Sequence, residues 1–137
     1  MKIRTALAGF LATVAIAGPA VAHDGQAETV VPKFDQAITN IPGKSLVVVE
    51  VEYAPGAASP SHTHAKSAFI YAYVLSGEIE SKVNDEQPRV YRAGESWYET
   101  PNARHQISRN ASKTTPAKLL AVFVVDSNDK PLTTPVK

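Results

Sequence analysis

The sequence predicts an all-β domain closed as a sandwich or barrel, on three observations. Short apolar or alternating runs recur between turn signals at the spacing of roughly eight to twelve residues that marks such folds. No segment after position 22 carries a helical hydrophobic period. The apolar run 118–125 would also leave a sticky edge unless the sheet closes on itself.

Residues 1–22 carry Lys2 and Arg4, an apolar run over 6–17, a Gly18-Pro19 break and then Ala20-Val21-Ala22. This is the pattern of a secretory signal peptide with a small-residue cleavage site. A membrane span needs roughly 20 apolar residues, and this run is shorter and ends at a helix breaker. The expected location is therefore periplasmic or secreted, with no membrane span after cleavage. Removing 22 residues from 137 leaves 115, the size of one domain. The 14 cations fall to 12 against 13 anions. A near-neutral chain without a basic run is not expected to bind nucleic acid or an anionic surface. Cysteine is absent, so no disulfide, thiol nucleophile or zinc-thiolate site exists, and any metal would be held by nitrogen and oxygen.

Residues 23–44 read as an N-terminal arm, polar, Pro-interrupted and placed to pair with a sheet edge. His23 would head the mature chain and reads as incidental. A barrel is expected over 45–126. It opens with a strand at 45–53, where Val47, Val49, Val51 and Tyr53 share one face and Val48, Glu50 and Glu52 the other. Residues 54–60 hold two prolines and read as a loop. The runs 69–75 and 78–83, joined at Ser76-Gly77, read as a β-hairpin. Short strands follow at 89–91 and 96–98, separated by a turn at Ala93-Gly94. After a break at Thr100-Pro101-Asn102 the extended pattern resumes at 105–108, and the apolar strand 118–125 closes the domain. The tail 127–137 is polar with two prolines.

Three of the four histidines fall in two of these spots: His62 and His64 in Ser61-His62-Thr63-His64, and His105. On an extended chain residues two apart share a face, so His62 and His64 can present ring nitrogens to one point. That spacing alone is weak evidence, since His-x-His also occurs on solvated loops.

The surroundings resemble the cupin family. Its first motif is a Gly, five residues, His-x-His, three or four residues, Glu, six residues and Gly; Gly56, His62, His64 and Gly77 match. Its second is a Gly, five residues, Pro-x-Gly, two residues, His, three residues and Asn; Gly94, the Thr100-Pro101-Asn102 triplet and His105 hold those places. The resemblance spans about residues 47–125. It implies a single cupin-type double-stranded β-helix (jelly-roll) barrel, a homodimer, and a metal held by His62, His64 and His105.

Two positions depart from the pattern. The motif glutamate is missing, because counting from His64 reaches Ala68 or Phe69 and counting back from Gly77 reaches Ile70. Arg109 occupies the final Asn position, with Asn110 one later, and Asn102 stands where Gly would supply a left-handed turn residue. Three imidazoles alone would form an all-neutral site suited to a divalent transition metal (Fe, Zn, Cu, Ni or Co), and not to calcium or magnesium. Such a site is similar to the three-histidine iron centres of thiol dioxygenases. Tyr71, Tyr73, Glu80 and Glu99 are the nearest groups able to fill the vacancy, and the strand register does not choose among them.

Phe69, Tyr71, Tyr73 and Trp97 are candidate core or pocket-wall residues. Arg104 and Arg109 flank His105, either as solvated strand-end charges or as attractants for a carboxylate at the pocket mouth. The sequence thus supports a metal-dependent oxygenase or isomerase acting on a small organic molecule. Its alternatives are a non-catalytic cupin that binds a small ligand or metal, and a structural barrel with vestigial histidines.

Overall fold

A computed structural model describes residues 28–136. The signal peptide expected over 1–22, and His23, lie outside the described residues. No helix occurs among the described residues, and the fold is all-β.

Eleven strands run in chain order: β1 (Thr29–Ala37), β2 (Lys44–Tyr53), β3 (Ala58–Ser59), β4 (His62–His64), β5 (Phe69–Ser76), β6 (Glu78–Val83), β7 (Arg89–Arg92), β8 (Ser96–Glu99), β9 (Arg104–Asn110), β10 (Ala117–Asp126) and β11 (Thr133–Pro135). They form two antiparallel sheets, one ordered β1-β2-β10-β5-β8 and the other β11-β4-β9-β6-β7, with β3 also on β9. The core lies between them.

The alternation in β2 and β10 is what makes a two-sheet core possible. Along β10, Ala117, Leu119, Ala121, Phe123 and Val125 are buried, and the residues between them are half-exposed. Pairing on both sides carries this parity into rows across the first sheet. Val47, Phe123, Ile70 and Glu99 form one inward row; Val49, Ala121, Ala72 and Trp97 form the next. The second row has two alanines at its centre, where larger side chains would fill the interior. The space they leave is part of the cavity described below.

The runs 69–75 and 78–83 do not pair as the expected hairpin. β5 joins β10 and β8 in one sheet, whereas β6 joins β7 and β9 in the other. Gly77 is the corner between the sheets. Its φ is +72°, and a Cβ there would lie 2.6 Å from the Pro116 carbonyl oxygen. Adjacent runs joined at a glycine look like a hairpin in sequence, but a close approach to β10 forces the chain to change layers. The actual hairpin is β6-β7, turned through Asn84 at φ 51°.

The segment after the second-motif turn also departs from simple alternation. The β6-β9 register shifts between Lys82↔Ile107 and Val83↔His105, so β9 carries one extra residue. This bulge lets His105, Ser108 and Asn110 all point inward although the first two are three residues apart. It also explains why Asn110 sits one place late. Asn110 is buried and donates from Nδ2 to the Ala54 and Thr115 carbonyls, tying together the two loops at that end.

Gly77→Ala is expected to destabilise the domain by about 2 kcal/mol or more, from left-handed strain and a backbone clash. Gly56→Ala meets no atom within 4 Å and carries the φ penalty alone. Equilibrium urea unfolding of the two variants should rank them in that order.

Candidate metal centre

His62 and His64 sit on β4, and β4 pairs with β9 so that His62 is directly opposite His105. Ring centroids are 4.8 Å apart for His62 and His64 and 5.0 Å for His62 and His105. One ring nitrogen from each of the three lies within 4.8 Å of the others. The second sheet thus brings all three sequence-selected histidines together.

Each ring is held from outside the cluster. His62 Nδ1 is 2.7 Å from the Pro60 carbonyl oxygen and His64 Nδ1 is 3.2 Å from that of Leu132. A carbonyl oxygen only accepts, so His62 Nδ1 carries the proton and its Nε2 is a bare lone pair, whereas His64 Nδ1 also lies 3.1 Å from the Thr133 hydroxyl, which can either donate to it or accept from it. His105 Nε2 meets the Ser81 hydroxyl at 2.8 Å, which leaves its Nδ1 facing the cluster. Leu132 belongs to the tail, and β11 pairs Thr133 with His64, so the polar C-terminal segment orients a ligand histidine.

The position left empty by the missing motif glutamate is filled from the neighbouring strand. Ile70 on β5 pairs with Glu99 on β8. Glu99 is 3% exposed, with Oε1 3.1 Å from His105 Nδ1 and Oε2 3.4 Å from His64 Nε2. The Trp97 indole donates to Oε1 at 3.3 Å. The three histidines expected from sequence form the cluster, and Glu99 stands beside two of them. Of the four groups considered for the vacancy, Tyr71 is exposed and Tyr73 shares its outward face, and Glu80 is paired to Arg109 at 2.6 Å.

The other candidate residues separate by strand parity. Trp97 lines the cavity, packed edge-on against His105. Phe69, Tyr71 and Tyr73 do not, because β5 turns Ile70, Ala72 and Val74 inward. Arg104 is exposed, with its Nε 3.4 Å from Ser61 Oγ, and Arg109 is held by Glu80; neither lines the cavity. Asn102 adopts φ 65°, the left-handed turn expected of it.

Protonation states follow from burial. Desolvation pushes His105 down to about 4 and lowers His62 as well. Burial alone would raise the Glu99 carboxyl, but the His64 and His105 imidazoles and the Trp97 N–H outweigh it and hold it below the usual carboxylate range. At neutral pH, His62 and His105 are neutral and the carboxylate is ionised. Beside them lies a cavity of about 240 Å³ with mostly apolar walls, including Val51, Ile70, Ala72 and Leu119.

The comparisons agree with this geometry. The cupin domain family model matches residues 49–123. The chain is a cupin. No curated protein matches its sequence. Among solved structures, a conserved protein with a double-stranded β-helix domain from Klebsiella pneumoniae subsp. pneumoniae is 20% identical, with 80% of this chain and 84% of that one covered and a TM-score of 0.62. An oxalate oxidase is 26% identical, over 66% of this chain and 46% of that one, with a TM-score of 0.57. The DMSP lyase DddQ from Ruegeria pomeroyi is 21% identical, over 66% and 43%, with a TM-score of 0.57. The cupin thus spans under half the length of the oxidase and lyase chains it resembles.

In metal-free protein the unfolded chain takes up the His105 proton near 6.5, whereas the folded chain resists until about 4. The unfolded state binds more protons in that window, so stability falls as pH drops from about 6.5 to 4, by up to about 3 kcal/mol from His105. Below the ordinary carboxylate range Glu99 adds to the loss. Urea unfolding of the chelator-treated protein between pH 7 and 4.5 measures this, and a midpoint flat across that range would contradict the assignment.

Proposed function

We propose that this cupin is exported by its leader and binds one divalent transition metal through His62, His64, His105 and Glu99. The metal would serve an oxygenase or isomerase reaction on a small organic molecule seated in the adjoining cavity. One observation carries the reading. Glu99 Oε2 is buried with no hydrogen-bond partner and lies 3.4 Å from His64 Nε2. A buried carboxylate oxygen without a partner, beside three clustered imidazoles, lacks the positive group that would satisfy it.

The donor set fits such an ion. Atoms each about 2.1 Å from one ion are at most about 4.2 Å apart, so the three histidine nitrogens, which lie within 4.8 Å of one another, close with a small movement, with Glu99 3.1 Å from His105 and 3.4 Å from His64. Three imidazoles with one carboxylate suit the borderline transition ions, and the outer partners of the rings fix them as metal sites require. When bound, such an ion supplies a Lewis acid, and iron or copper a one-electron centre. The protein contributes the rest. Pro60, Leu132 and Ser81 aim the rings, Trp97 orients the carboxylate, and the apolar walls limit water around the bound molecule. The likeness to an oxalate oxidase at 26% identity supports small-molecule chemistry without naming the substrate.

We also propose a homodimer formed through the outer face of the first sheet. Phe34, Val48, Val122, Tyr71 and Tyr98 stand in cross-strand register as one row over all five strands. Tyr98 is 63% exposed and stacks on Phe69. A row of this kind is self-complementary about a two-fold axis, and large exposed apolar patches mark association surfaces.

Protein expressed with its leader and purified without chelators should carry close to one equivalent of a transition metal by elemental analysis. His62→Ala with His64→Ala should carry none, and Glu99→Gln should lose at least about tenfold in affinity, the loss typical of removing even an outer-shell carboxylate. Less than about a tenth of an equivalent in the wild type defeats the metal reading. For the dimer, sedimentation of Tyr71→Glu with Tyr98→Glu should give a monomer at concentrations where the wild type is dimeric.

A further inference from the structure

The cavity has a second polar end, formed by groups that the metal site does not use. Tyr53, the last residue of β2, is 2% exposed, and its hydroxyl lies 2.6 Å from Ser59 Oγ and 2.8 Å from Ser108 Oγ. All three line the cavity, and among the described residues their hydroxyls have only each other as partners. Three hydroxyls carry three hydrogens, and two hydrogen bonds consume two of them. Whichever atoms donate, one O–H is left over. Tyr53 and Ser108 are buried and Ser59 is half-buried, so a surplus donor on either buried hydroxyl is costly unless a ligand or water accepts from it.

Glu28 supplies the opposite function. It precedes Thr29, which pairs with Glu52, so it stands one step along opposite Tyr53. Its side chain lines the cavity, and its Oε2 is buried without a partner among the described residues. The same end therefore offers one unspent donor and one unspent anionic acceptor. Along β9, the bulge leaves Ser108 two ladder positions from His105, about 7 Å of strand at roughly 3.3 Å per position.

We infer that this end is a subsite for the neutral hydroxyl of a compact, mainly apolar alcohol or phenol whose other end reaches the metal. The inference deepens the metal-and-cavity reading above and rests on it for the second contact. A hydroxyl both accepts the spare hydrogen and donates to Glu28. An ammonium only donates and leaves the surplus O–H unmet, while a carboxylate meets Glu28 with like charge. The apolar walls favour a hydrocarbon body between the two ends.

Phenol, toluene and benzoate titrated into the full chain at pH 7, as purified and after zinc addition, test this by NMR shift perturbation. Phenol should bind at least about fivefold more tightly than toluene, the worth of about one net hydrogen bond, and more tightly than benzoate. Tyr53→Phe and Glu28→Ala should each bring phenol to within about twofold of toluene, with toluene binding itself retained. If Tyr53→Phe does not fold, Glu28→Ala decides alone. Equal binding of phenol and toluene by the wild type, or a phenol preference that survives Glu28→Ala, overturns the subsite. Zinc uptake without phenol preference overturns the subsite and leaves the metal reading intact. Phenol preference that persists in metal-free protein and in His62→Ala with His64→Ala supports the subsite whatever becomes of the metal.

Discussion

A buried carboxylate set against three clustered imidazoles is the constraint around which this cupin is arranged. The Nδ1 proton of His62 is committed to the Pro60 carbonyl, so that ring cannot donate inward while neutral. Protonating a ring is opposed by burial, which lowers both His62 and His105. Protonating Glu99 is opposed by its neighbours and by the Trp97 N–H. Proton gain by His62, His105 or Glu99 is thus opposed by burial or by a named contact. An electron-rich centre is what remains, and a cation relieves it at the least cost.

That centre exists only because the two sheets meet at a particular register. Three donors come from the second sheet and the fourth from the edge of the first. The rows set by β10 place Glu99 at the end of the line Val47–Phe123–Ile70, facing the histidines. Gly77 lets the chain step between layers beside Pro116, and the bulge in β9 restores inward parity after His105. A one-residue slip in β9 would move His105 or Ser108 to the outside. The same bulge thus joins the metal end of the cavity to its hydroxyl end.

Most strands and all three histidines were legible in the sequence, because alternation and turn residues are local signals. The glutamate was not. Its motif position is held by Ile70, and its replacement is 29 positions away in the numbering, joined to it only through a cross-strand pair. Glu99 was one candidate among four, and only pairing could select it. Parity misled in β5 for a related reason. Phe69, Tyr71 and Tyr73 carry the bulk expected of a pocket wall, yet the smaller Ile70, Ala72 and Val74 take the inward places. The 69–75 and 78–83 runs mimic a hairpin because what separates them, the approach of Gly77 to Pro116, depends on residues about 40 positions apart.

The small residues in β5 and β10 also explain why the interior is a cavity and not a filled core. Ala72 and Ala121 are direct partners, flanked by Val49 on one side and Trp97 on the other. A strand such as β5 that places its aromatics outward and its alanine inward gives up buried apolar area, which is the main source of stability in a domain of this size without disulfides. The loss is offset in part by long β2 and β10 ladders and by the Tyr53, Asn110 and Ser67–Asp129 hydrogen bonds that anchor the loops. Filling the space would have been the simpler route to a stable barrel. The interior is left open between the histidine cluster with Glu99 at one end and the Tyr53, Ser59 and Ser108 hydroxyls at the other.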